Sequence, residues 1–160
     1  MASAMAGIAA TLLVVVAAIS TAEGACPAEL NLDWREYDGN CYWFSTFRTS
    51  WLEARKACQT EYPGADLAAI HHLEENSFIS ETFSGKDAWI GLNDRDHEDQ
   101  FSWCNGDPVD FLYWARGQPD DLWFDQDCAH IDYDSSTGQW DDEDCDDEKH
   151  FVCKVASVAA

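Results

Sequence analysis

Seven cysteines, all lying beyond an apolar leader, constrain this 160-residue chain more than any other feature. The chain opens with Met1–Gly7, continues through an apolar run from Ile8 to Ile19, and then turns to small residues up to Gly24. That run is too short to cross a bilayer and has the length of a signal-peptide core. Ala22 and Gly24 occupy the small-residue positions of a cleavage site before Ala25. No Lys or Arg precedes the run, so the amino terminus must supply the positive charge. The rival reading, a short membrane anchor, fits the length and flanks less well. The expectation is a signal peptide over residues 1–24 and one secreted, extracellular domain over 25–160, in a compartment where thiols oxidise. Six cysteines pair in fifteen ways, so spacing alone does not choose among them. Thiolate metal binding is disfavoured because no Cys-x2-Cys pair is present.

Charge narrows the partners. The formal net charge is −22, and loss of Glu23 with the leader brings it to about −21. Such a field repels nucleic acid and anionic lipid and attracts cations. An acidic chain poor in aromatics stays disordered; this one has 8 Trp, 8 Phe and 5 Tyr, enough large apolar groups to build a core.

The local patterns describe a mixed α+β domain. Cys41–Phe47 alternates like a strand. Ser50-Trp51-Leu52-Glu53 is a capping box opening a helix that stops at Pro63-Gly64. A second helix is expected over Leu73–Phe83, ending at Gly85, and Ala88–Leu92 reads as a buried strand. From Asn93 to Asp127 the pattern is irregular and rich in Asp, Gly, Pro and Trp. Short strands return at Cys128–Tyr133, Gln139-Trp140 and His150–Lys154. A loop region of that length inside a compact domain is usually functional.

Several motifs, taken in order, carry a family resemblance. They are Trp51-Leu52-Glu53-Ala54-Arg55 with Cys58, Asp66-Leu67-Ala68-Ala69-Ile70, Glu74-Glu75-Asn76, Trp89-Ile90-Gly91-Leu92, Gln118-Pro119-Asp120, Trp140-Asp141-Asp142 and Phe151-Val152-Cys153. From about Cys26 to Lys154 the chain resembles C-type lectin domains, of the secreted long form with a Gln-Pro-Asp motif. Any one motif is weak; seven in register with the cysteines are specific. The resemblance implies two helices, small antiparallel sheets and a long calcium-binding loop region.

It also implies a disulfide pattern: Cys58–Cys153, Cys128–Cys145, and Cys26–Cys41 as the N-terminal bridge of the long form. By the chain-entropy account the first, closing about 95 residues, contributes nearly 5 kcal/mol and the others roughly 3 each. Cys104 is left over. Two readings stand: a buried, inert thiol, or a link between two chains that gives a homo-oligomer.

The implied cofactor is Ca2+, a hard cation that takes six to eight oxygen ligands. Carried over from the family, the ligands of the sugar-contacting ion are Gln118, Asp120, Gln126, Asp141 and Asp142, with Pro119 cis. Those of a supporting ion are Asp94, Glu98, Asp121 and Asp127. The rival is a merely solvated acidic face, since 31 Asp and Glu make accidental matches easy. The family usually has Glu where Gln126 stands and Asn where Asp141 stands, so the charge of the set is kept while its hydrogen-bond pattern is not.

The implied partner is carbohydrate, through Gln118, Asp120, Gln126 and Asp141. Gln-Pro-Asp usually marks galactose-type recognition, yet both pairs here, Gln118 with Asp120 and Gln126 with Asp141, read amide then acid. Reversing both pairs relative to a mannose-type site restores a mannose-like placement of donors and acceptors, so galactose and mannose glycans are both candidates. Trp123 is a candidate stacking surface, one position later than the family's usual place at Leu122; packing of Leu122-Trp123-Phe124 as loop core is the alternative. Trp34, Trp43, Trp51, Trp89 and Trp140 read as scaffold.

The remaining features are plainer. His130 reads as packed. His71 and His72 are neighbours that do not by themselves define a zinc site. His97 stands between Asp94 and Glu98, where its protonation would weaken a bound cation. No Asn-x-Ser/Thr acceptor is present. Three function classes follow: a lectin, with host defence (innate immunity) as one role; a lectin-like domain whose run Asp141–Glu148 binds a protein or mineral surface; and an enzyme. The last is disfavoured, because there is no nucleophile–base arrangement and no nucleotide-binding loop.

Overall fold

A computed structural model describes Cys26 and residues 34–122, 125–132 and 137–157. The expected leader over 1–24 and the candidate stacking residue Trp123 lie outside the described residues.

Ten elements follow in order: β1 (Arg35–Tyr37), β2 (Asn40–Phe44), α1 (Trp51–Glu61), β3 (Asp66–Leu67), α2 (Leu73–Phe83), β4 (Ala88–Asn93), β5 (Ser102–Trp103), β6 (Cys128–Ile131), β7 (Trp140–Glu143) and β8 (His150–Ala156). Helix α1 begins where the capping box places it, the Ser50 hydroxyl accepting from the Glu53 N–H, and ends before Pro63. Helix α2 has a less usual cap: the His72 ring accepts from the Glu75 N–H at 3.2 Å. It closes on Ser84 and Gly85, both left-handed.

The strands form one eight-stranded sheet of order β1-β2-β8-β4-β6-β7, with β3 on β8 and β5 on β4. The expected antiparallel pairing holds except at one point. β4 and β8 run parallel through Ala88↔His150 and Trp89↔Phe151, and this pair joins two antiparallel halves. Parallel neighbours need a long crossover; here β4 and β8 are separated in sequence by the loop region, β6 and β7. The late strand expected at Gln139-Trp140 in fact runs Trp140–Glu143 and brings both Asp141 and Asp142 onto the sheet.

The core has two clusters. One gathers Tyr42, Ile70, Ile79, Ile90, Trp103, Trp140 and Val152; the other gathers Trp43, Trp51, Leu67, Trp89 and Phe151. Three buried Trp side chains also satisfy their N–H groups: Trp51 donates to the Ile90 carbonyl at 2.8 Å, Trp89 to that of Thr49 at 3.0 Å, and Trp140 to the Asn76 side chain at 2.7 Å. Glu75 is buried yet fully paired, accepting from Lys154 Nζ at 2.6 Å, from the Tyr42 hydroxyl at 2.7 Å and from the His71 backbone at 2.9 Å. All three disulfides implied by the resemblance are present: Cys26–Cys41, Cys58–Cys153 and Cys128–Cys145. Gly91 stands where a Cβ would come within 2.8 Å of the Leu67 carbonyl and 3.0 Å of the Cys104 sulfur, so its lack of a side chain lets β4 pack against β3.

Candidate functional site

The loop region closes where it begins, because the Asp94 N–H at the end of β4 donates to the Asp127 carbonyl at 3.1 Å. Asp94 then organises a turn: its Oδ2 accepts from the Asp99 N–H at 2.9 Å, and its carbonyl accepts from His97 at 2.9 Å. Its Oδ1 is buried without a hydrogen-bond partner among the described residues.

The second stretch is anchored from β7. The Gln118–Pro119 bond is cis, as the family resemblance implied. Just beyond it, the Asp120 and Asp121 N–H groups donate to Asp142 Oδ1 and Oδ2 at 3.0 and 2.7 Å. Asp121 in turn accepts from the Gln126 N–H at 3.2 Å, and Gln126 Oε1 accepts from the Leu122 N–H. Gln126 Nε2 donates to Glu143 Oε1 at 2.9 Å.

A cleft of about 630 Å³ results, lined by Asp94, Glu98, Asp120, Asp121 and Asp142 with Phe101, Pro119 and Leu122 as its apolar wall. The structure thus brings together Asp94, Glu98 and Asp121 of the supporting set with Asp120 and Asp142 of the sugar-contacting set. Gln118, Gln126, Asp127 and Asp141 stand outside the lining. Asp141 and Asp142 are successive residues of one strand, so their side chains leave opposite faces of the pleat.

Crowding of like charge shows in the acidities. Burial, then Glu98 and Asp127, push the Asp94 carboxyl up to about 6, against a backbone hydrogen bond from Asp99. Burial, then Asp142 and Asp132, push Asp141 up to about 6. Burial also raises Glu98, Asp127 and Asp142. Among the described residues no three His, Cys, Asp or Glu side chains are gathered tightly enough to cage an ion. The physical reason is visible: Asp94, Asp121 and Asp142 spend oxygens on backbone N–H donors, and carboxylates of one sign do not converge unaided. The donor set nonetheless fits a hard cation. Among the described residues three buried side-chain oxygens, Asp94 Oδ1, Gln118 Oε1 and Asp141 Oδ1, have no hydrogen-bond partner, and such acceptors suit a cation or a water.

Two residues that the sequence did not single out hold this site. Glu143 looks like one more member of an acidic run, yet it holds Gln126. Lys149, only 6% exposed, sits 5.1 Å above the Trp89 ring with its Nζ 3.9 Å from Glu143 and from Asp147. His71, His72 and His130 serve the fold. His130 is buried on β6, edge-on to Trp89. His71 meets Asp110 at 2.7 Å and Asp107 at 3.2 Å, tying a loop to the start of α2. His97 is exposed on the Asp94 turn. Cys104 is unpaired, and its sulfur packs beside Gly91 and 4.0 Å from the Leu67 carbonyl.

Comparison with known proteins identifies the family and the fold. Residues 47–155 match the family model for the lectin C-type domain. The chain is 55% identical over 150 residues to lectin BRA-3 of Megabalanus rosa, covering 94% of this chain and 91% of that one. The mouse scavenger receptor C-type lectin carbohydrate-recognition domain superposes with a TM-score of 0.72 at 33% identity, over 84% of this chain and 99% of that one. The C-type lectin CEL-I from Cucumaria echinata gives 0.74 at 25% identity, over 83% and 99%.

Proposed function

The chain belongs to the C-type lectin domain family, and we propose that it is a secreted, calcium-dependent sugar-binding protein acting through the cleft between the Gln118–Gln126 loop and β7. The observation that carries this reading is the lining of one cleft by the carboxylates of Asp94, Glu98, Asp120, Asp121 and Asp142, with a buried, unpartnered oxygen on Asp94 and others on Gln118 and Asp141, the sequence neighbours of Pro119 and Asp142. Asp94, Glu98, Asp121 and Asp127 would hold the supporting ion, and Gln118, Asp120, Gln126, Asp141 and Asp142 the sugar-contacting one. Calcium held by these residues would supply a Lewis-acidic centre for the lone pairs of sugar hydroxyls.

The chain's own groups do the rest. Carboxylates accept the hydroxyl protons, and the Gln118 and Gln126 amides donate to the oxygens. Asp142 supports this by tying the Asp120 and Asp121 backbone to β7. Phe101, Pro119 and the half-exposed Leu122 offer apolar surface for a sugar's carbon face. A two-hydroxyl contact of this kind is weak for one sugar, so useful avidity needs several sites.

A glycan array run with calcium and with chelator tests the reading. Binding that requires calcium and is competed by free galactose or free mannose is the expected result. Retention released by chelator but by no sugar would instead favour a protein or mineral ligand. Calorimetry showing no calcium uptake at millimolar concentration would overturn the calcium site.

A further inference from the structure

We propose that Glu143, held by Lys149, is the positioning residue that fixes the orientation of the Gln126 amide, and through it the hydrogen-bond polarity that the loop presents to a sugar; this rests on the lectin reading above. A glutamine amide has two ends of nearly equal shape, so its orientation must be imposed by its neighbours. Here two one-sided partners impose it. The Leu122 N–H can only donate, so the atom facing it is Oε1. The Glu143 carboxylate can only accept, so the atom 2.9 Å from it is Nε2.

Glu143 is itself held from both sides. Its Oε1 also accepts from the Asp144 N–H at 3.1 Å, and its Oε2 faces the Lys149 ammonium at 3.9 Å. Lys149 is in turn fixed over Trp89 and beside Asp147. Among the described residues Gln126 has one N–H and one lone pair left, with the lone pair on the Leu122 side. The lock also explains why an amide suits this position: a carboxylate at 126 would meet Glu143 acceptor against acceptor. Gln126 and Glu143 therefore act as a matched pair, and the departure from the family's usual acid is tied to the glutamate on the neighbouring strand.

Glu143→Leu keeps most of the bulk and removes the acceptor, whereas Glu143→Gln keeps it, because the Asp144 N–H holds the amide oxygen at the position that faces Gln126. Inhibition of glycan binding by free galactose and free mannose in calcium is measured for the unaltered protein and both variants. The expected result is a change of about fivefold in the galactose-to-mannose ratio for Glu143→Leu, the worth of one hydrogen bond, with the ratio of Glu143→Gln close to that of the unaltered protein. Normal binding by the unaltered protein with an unchanged ratio in Glu143→Leu overturns the positioning role alone. Absence of calcium and sugar binding by the unaltered protein overturns the lectin reading and this role with it. A readout independent of sugar covers the case of a variant that folds poorly: in chelator, NMR of the unaltered protein should show one slowly exchanging Gln126 side-chain N–H, and two fast ones overturn the lock.

Discussion

Asp142 accepts the backbone N–H groups of Asp120 and Asp121 with its two carboxylate oxygens, at 3.0 and 2.7 Å. One buried side chain of β7 thus sets the path of the loop that follows the cis Gln118–Pro119 bond. Replacing Asp142 with Ala removes both charge-assisted bonds, each worth roughly 1.5–3 kcal/mol. Calcium affinity is expected to fall at least tenfold by calorimetry. Unchanged affinity would place the ion elsewhere.

The disulfides separate stability from function. Cys58–Cys153 ties α1 to β8 across 95 residues, whereas Cys128–Cys145 spans 17 and brackets β6 and β7. On chain-entropy grounds the first contributes about 4–5 kcal/mol and the second about 3. Cys58→Ala/Cys153→Ala should therefore lower the denaturation midpoint more. Cys128→Ala/Cys145→Ala, which frees the strand carrying Asp141 and Asp142, should cost more calcium affinity per kcal/mol of stability lost. The reverse ranking in a paired urea and calcium titration would contradict this division.

Much of the scaffold was legible because its signals are local. Ser50 with Glu53 and Pro63-Gly64 bound α1, and the family motifs implied the cysteine pairing that the structure contains. Strands β1, β3 and β5 were not legible, since two or three residues carry no period and each is defined by the partner it pairs with. The parallel β4–β8 pair was hidden for the same reason, being a contact between distant segments. In the site, the acids of the cleft could be named from the motif. Glu143 could not: in the sequence it is one of many acids, and its role exists only because β6–β7 register sets it beside Gln126 and the β8 approach brings Lys149 to it.

Cys104 is expected to be inert. Its sulfur lies against Gly91, and burial, then Asp66, raise its pKa well above that of an ordinary thiol, which suppresses the reactive thiolate. Native protein should label slowly with iodoacetamide and at once in denaturant, and should run as a single chain on a non-reducing gel. Fast native labelling, or a dimer that reductant dissolves, would restore the interchain link.

His130 sets an acid limit on the fold. Burial, then the nearby Lys149, lower its pKa to about 4, from 6.5 in an exposed histidine. The unfolded chain therefore binds a proton before the folded one does, and the stability tied to a neutral His130 is lost progressively as pH falls from 6.5 toward 4. Each tenfold difference in proton affinity between the two states is worth about 1.4 kcal/mol, so the loss is on the order of 3 kcal/mol once both states are protonated. Asp94 and Asp141 act with the opposite sign, because their raised values let the folded chain take protons first below about pH 6. The measurement is therefore a difference: urea unfolding in chelator, of the unaltered protein and of His130→Gln, at about pH 7, above the window, and at about pH 4.5, near its lower end. The variant should be the less stable at neutral pH, through lost packing on Trp89, and should close most of that gap at the acid pH. A gap that stays constant would show that His130 does not titrate in this window.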